Sequence, residues 1–91
     1  MIDELVAEAE IGEEARLFKQ SDLGKTLLGM AEQDLLLAQE ALELVDPTNV
    51  EDIRKLQNKA QLARNFQSWL DELIDRGTGA MVSWKQQNED I

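Results

Sequence analysis

Few residues in this 91-residue chain have the types and spacing for covalent chemistry. It contains no His and no Cys, so the common Ser-His and Cys-His nucleophile pairs cannot form. A Ser-Lys pair remains, since Ser21 and Lys25 stand four apart on one helix face and Ser83 lies close to Lys85. Glu40 with Glu43, and Asp71 with Glu72 and Asp75, bring carboxylates together. Acid–base work by such a pair needs a cleft that raises one pKa. Gly24-Lys25-Thr26 superficially matches the end of a phosphate-binding loop. The required earlier glycine is Lys19, however, and no strand precedes it. No EF-hand spacing or Glu-x-x-His pair is present. The sequence therefore predicts a protein that is not an enzyme, with no catalytic residues, no metal ligands and no cofactor.

Net charge is −10 and unevenly spread. Residues 1–22 carry seven acids and two bases, residues 23–46 five acids and one base, and residues 47–91 seven acids and six bases. That balance argues against direct contact with a nucleic-acid backbone or an anionic membrane and favours a basic partner. Arg54, Lys55, Lys59 and Arg64 form a local basic stripe, for which Glu32, Glu40 and Glu43 are the nearer expected partners across a helical hairpin. No apolar run approaches the roughly 18–20 residues of a membrane span. The acidic start lacks a secretory basic region. The expectation is a soluble protein in a reducing, cytoplasmic setting.

The elements that must position these residues are helical. Leu28, Ala31, Leu35, Ala38, Leu42 and Val45 step by three and four, a heptad seam assigned here to self-association. Leu27, Met30, Leu37, Ala41 and Leu44 lie beside it, a stripe wider than one antiparallel partner covers. The seam extends backwards through Leu17, Ser21 and Gly24, which predicts a first long helix over 13–45, continuous or kinked. Ser21 capping a fresh helix is the alternative.

Pro47 ends that helix near Val45, with a turn at 46–49. Thr48 and Glu51 have capping-box spacing. A second long helix is predicted over 49–85, with Ile53, Leu56, Ala60, Ala63, Leu70 and Ile74 in one row and Leu62, Phe66, Trp69 and Leu73 in another. Phe66 and Trp69 are expected in the core. Gly77-Thr78-Gly79 is a plausible break. Residues 1–12 read as an N-terminal extension ending near Gly12, and 86–91 as a frayed tail.

The expected fold is one all-α domain, a long antiparallel hairpin with an N-terminal helical extension, associating as a dimer or higher oligomer into a bundle. Candidate partner-binding residues are Trp84 and Met81, beyond the main seam, and the dense acids Glu8, Glu10, Glu13 and Glu14.

Phe18-x-x-Ser21-Asp22-x-Gly24, Ala31-Glu32, Asp46-Pro47, Leu56-Gln57-Asn58 and Phe66-x-x-Trp69-Leu70 together resemble small all-helical proteins of tailed bacteriophages and prophages, often encoded near head and tail morphogenesis genes. The resemblance spans roughly residues 13–75 and brings no activity with it. It implies a bacterial-host setting and a role in virion assembly or structure through contacts with phage structural proteins. An acidic inhibitor or DNA mimic, binding a basic host protein, is the alternative and would need its acids on one continuous face.

Overall fold

The computed structural model describes residues 2–89. These residues are all-α and form three helices: α1 (Ile2–Gln20), α2 (Asp22–Leu44) and α3 (Val50–Glu89). Helix α3 packs against both α1 and α2, which touch each other far less. The two shorter helices thus run end to end, antiparallel to α3. Lys19 meets Asp71 and Gly12 meets Gly77, while Leu28 and Gln67 flank one groove.

At about 1.5 Å rise per residue, forty residues span about 60 Å, which sets the long dimension of a 64 × 27 × 15 Å molecule. The 15 Å dimension is one helix thick. The radius of gyration is 18.6 Å, against about 12 Å for a compact chain of this length. A slab one helix deep covers each helix on one side and cannot enclose a core. The buried residues are accordingly small: Gly12, Ala15, Gly24, Ala38, Ala60, Ala63, Gly77 and Ala80 among those described.

The first boundary differs from the sequence expectation. Gly12 lies inside α1, and the chain breaks at Ser21 instead. Ser21 leaves the helical region, at φ −72° and ψ 159°. Its Oγ accepts the Gly24 N–H at 2.9 Å and donates to the Phe18 carbonyl at 2.6 Å. The break re-phases the rod by one residue, so the seam continues backwards through half-buried Phe18 rather than Leu17, which is 52% exposed.

At the other end of α2, Val45 is extended and caps the helix through its N–H to the Ala41 carbonyl. The cap of α3 lies one residue later than expected. Asp46 Oδ1 accepts both the Thr48 N–H, at 2.9 Å, and the Thr48 hydroxyl, at 2.8 Å. With Thr48 so engaged, Asn49 caps instead, accepting the Asp52 N–H and donating to the Asp52 carboxylate at 2.7 Å.

The two bonds from Thr48, the backbone one first, hold the Asp46 carboxyl below the ordinary aspartate range. A lowered folded-state pKa gives stability that is present above the unfolded value and lost as pH falls through the lowered one. The urea-midpoint difference between wild type and Asp46→Ala is therefore expected to be present at neutral pH and to shrink in acid. A difference constant down to pH 2 would remove the carboxylate from the account.

Helix α3 runs unbroken through Gly77-Thr78-Gly79 and through residues 86–89 of the expected tail. Met1, Asp90 and Ile91 lie outside the described residues. Gly77 has no positive φ and caps nothing; it sits where α3 crosses α1. A Cβ on either Gly12 or Gly77 would fall 2.7 Å from the other residue's Cα. The sequence reads these glycines as helix ends, whereas both serve a close backbone approach.

Candidate protein-binding surfaces

The groups singled out for chemistry are used up in local structure or stand apart in solvent. Ser21 caps α2 as described, and Thr26 donates to the Asp22 carbonyl. Asp71 accepts from Lys19 at 2.7 Å, which ties α1 to α3, and Glu72 accepts from Arg76 at 2.6 Å. Glu40 and Glu43 are exposed. No group of three or more metal-ligating side chains comes together among the described residues.

The expected pairing of Glu32, Glu40 and Glu43 with the basic stripe across the hairpin is also absent among the described residues. Lys55 instead faces Glu51 one turn away, at 3.7 Å. The bridge between helices is Lys19–Asp71, both partners about half exposed.

Four of the six candidate binding residues come together: half-buried Trp84 lines one groove with Met81, Glu10 and Glu13, beside Leu5, Val6 and Ala9 of α1. It anchors the two chain ends together, with Met81 44% exposed beside it. Glu8, Glu10, Glu13 and Glu14 are all exposed. At about 100° per residue, Glu8 falls on the other side of α1 from Glu10, Glu13 and Glu14, of which Glu10 and Glu13 border the Trp84 groove. Glu13 is bound by Arg16, whose Nε donates to it at 2.9 Å, and that bond lowers the Glu13 pKa and raises that of Arg16. The four acids therefore form no continuous, unneutralised face.

Leu28, Ala31, Leu35, Ala38, Leu42 and Val45, assigned above to self-association, are buried or half-buried. They form the face that α2 turns to α3. The seam is consumed within the chain, because a 91-residue hairpin needs it to hold its own two arms together.

What stays open is the neighbouring row, which the sequence placed beside the seam without giving it a partner. Met30 is 60% exposed and Leu44 87%. Trp69, expected in the core beside Phe66, is 57% exposed on α3. A stripe wide enough for two neighbours has one in the chain, and the rest of it remains in solvent. The sequence sets Trp69 in one row with Leu62, and their seven-residue spacing carries both to the same exposed edge of α3.

No described helix is long and apolar enough to cross a membrane. Comparison with protein-family models, curated proteins and solved structures finds no match.

Proposed function

We propose that this chain is a non-enzymatic protein of a tailed bacteriophage or prophage that acts by binding proteins, itself included, during virion assembly or as part of the particle. One observation carries the protein-binding half of this reading: among the described residues no large apolar side chain is buried, while thirteen large hydrophobic residues stand exposed. Monomeric proteins seldom leave so much apolar surface in water. The bacterial-host setting rests on the resemblance of the Phe18–Gly24, Asp46-Pro47 and Phe66–Leu70 segments to small tailed-phage proteins. The serines and carboxylates of the helix faces are capping, paired or solvated groups, which suits a structural role better than catalysis. The divided acids of α1 lend no support to DNA mimicry.

The test is an affinity pull-down of the tagged protein from phage-infected or prophage-induced cells, read by mass spectrometry. Capsid, portal or tail components are the expected capture. A host nuclease or polymerase in the absence of virion proteins would replace this reading with that of an acidic inhibitor.

A further inference from the structure

The exposed surface exceeds what a chain of this mass needs. A compact monomer of 10.3 kDa has about 5,400 Å² of accessible surface. This one has 6,961 Å², an excess of about 1,600 Å² by that scaling. A stable protein–protein interface takes about 800 Å² from each partner, and obligate dimers take more. The excess is therefore of the size that one dimer interface removes.

The surface is also patterned. On α2, Leu23, Leu27, Met30, Asp34, Leu37, Ala41 and Leu44 step by four and three without interruption. This second heptad seam lies about 100° around the helix from the one buried on α3. On α3, Leu62, Phe66 and Trp69 continue the same spacing. Leu27 and Met30 face Leu62 and Phe66 across a single groove, so both rows open on the same broad side of the slab. The groove on the other side carries the charged side chains Lys19, Lys25, Glu32 and Asp71 beside Leu28 and Gly29. Between α2 and α3 the exposed apolar rows therefore stand on one side and this charged groove on the other.

Charge favours a second copy as the cover. In a chain of net charge −10, the apolar groove is bordered by one acid and one base, Asp34 and Lys59, on opposite helices. A two-fold axis along the hairpin sets α2 of one copy over α3 of the other and brings each Asp34 to the level of the other copy's Lys59. An interface of this kind is self-complementary. It also converts a layer one helix thick into a four-helix bundle with a core.

We infer that two copies of this chain pair through the Leu23–Met30–Leu37–Leu44 and Leu62–Phe66–Trp69 face to form an antiparallel four-helix bundle. This deepens the self-association contained in the function proposed above and rests on it.

Sedimentation equilibrium of the full chain near neutral pH is expected to give twice the 10.3 kDa chain mass. The Met30→Glu/Leu37→Glu variant is expected to fall to a monomer. Leu36→Glu, at an equally exposed leucine one step off the seam, is expected to remain a dimer. Because a doubly substituted chain can lose its fold, a charge exchange provides the second arm. Asp34→Lys should weaken the dimer about tenfold or more by setting like charges together, and Asp34→Lys/Lys59→Asp should restore it. A dimer indifferent to these face variants overturns the assigned surface but leaves self-association standing. A wild-type monomer at about 100 μM, far above the Kd of a stable complex, overturns both.

Discussion

Gly77→Ala is expected to lower the melting temperature of this protein, and Gly79→Ala, two residues further along the same helix, to raise it. In an exposed helix interior, alanine in place of glycine stabilises by about 0.5–1 kcal/mol. Gly79 is such a position, as is Gly29, since a Cβ at either meets nothing within 4 Å. At Gly77 a Cβ would lie 2.7 Å from the Gly12 Cα and 3.2 Å from the Glu8 carbonyl oxygen. Both obstacles are backbone, so no side chain can swing away, and α1 must move off α3. Overpacking of this kind costs about 1–3 kcal/mol. After the propensity gain, a net loss of up to about 2.5 kcal/mol is expected. For a chain of this size each kcal/mol shifts Tm by roughly 4–8 °C. Gly12→Ala should behave like Gly77→Ala, since its Cβ would meet the Gly77 Cα and, at 2.9 Å, the Leu73 carbonyl oxygen. The double variant should cost less than the sum, because the first methyl has already opened the crossing. Thermal melts of the five chains decide the matter. If Gly77→Ala rises as Gly79→Ala does, the close approach of the two helices is wrong.

The same glycines mark the limit of what the sequence discloses. The all-helical hairpin is legible because Leu28 to Val45 and Ile53 to Ile74 keep helical spacing and Pro47 separates them. The role of a glycine is not legible, because it depends on what stands opposite. Gly77 acquires its meaning from Gly12, near the other end of the chain, and Gly29 has no counterpart at all. The helix at Gly77 also remains helix because α1 covers it there, a tertiary fact that outweighs local propensity.

The exposed row of α2 is half legible for a related reason. Two adjacent heptad seams on α2 make a stripe wide enough for two neighbours. They do not show which neighbour the chain supplies itself. The seam ending at Val45 is the one that α3 covers on folding back at the Pro47 turn. The seam of Met30 and Leu44 is left over. Trp69 stands exposed beside the left-over seam, whereas Trp84 is half-covered by Leu5, Val6 and Ala9 of α1.

The largest local effect is expected at Gly24. A Cβ there would fall 1.6 Å from the Phe18 carbonyl oxygen and 2.6 Å from its carbon. No relaxation of a few tenths of an ångström relieves such an overlap, so the turn at Ser21 must change. Residues of the Phe18-x-x-Ser21-Asp22-x-Gly24 segment are therefore parts of one device. The Phe18 carbonyl takes the serine hydroxyl, the serine takes the Gly24 N–H, and the missing side chain at Gly24 lets that carbonyl pass. Alanine removes the third part and at the same time favours a helix running straight through. A straight rod restores the phase that the break shifts. It turns Leu17 inward in place of Phe18, and α1 then presents the wrong face to Gly77 and Asp71. Hydrogen exchange of Gly24→Ala should show α1 amides losing at least about tenfold protection, which corresponds to about 1.4 kcal/mol of local stability. The α2–α3 hairpin should keep its protection, because its seam lies beyond the break. Ser21→Ala removes the cap without the clash and should cost only about 1 kcal/mol. It separates the worth of the hydrogen bonds from that of the space. If Gly24→Ala leaves α1 as protected as in the wild type, the carbonyl does not pass where the structure puts it, and the one-residue change of phase between α1 and α2 loses its cause.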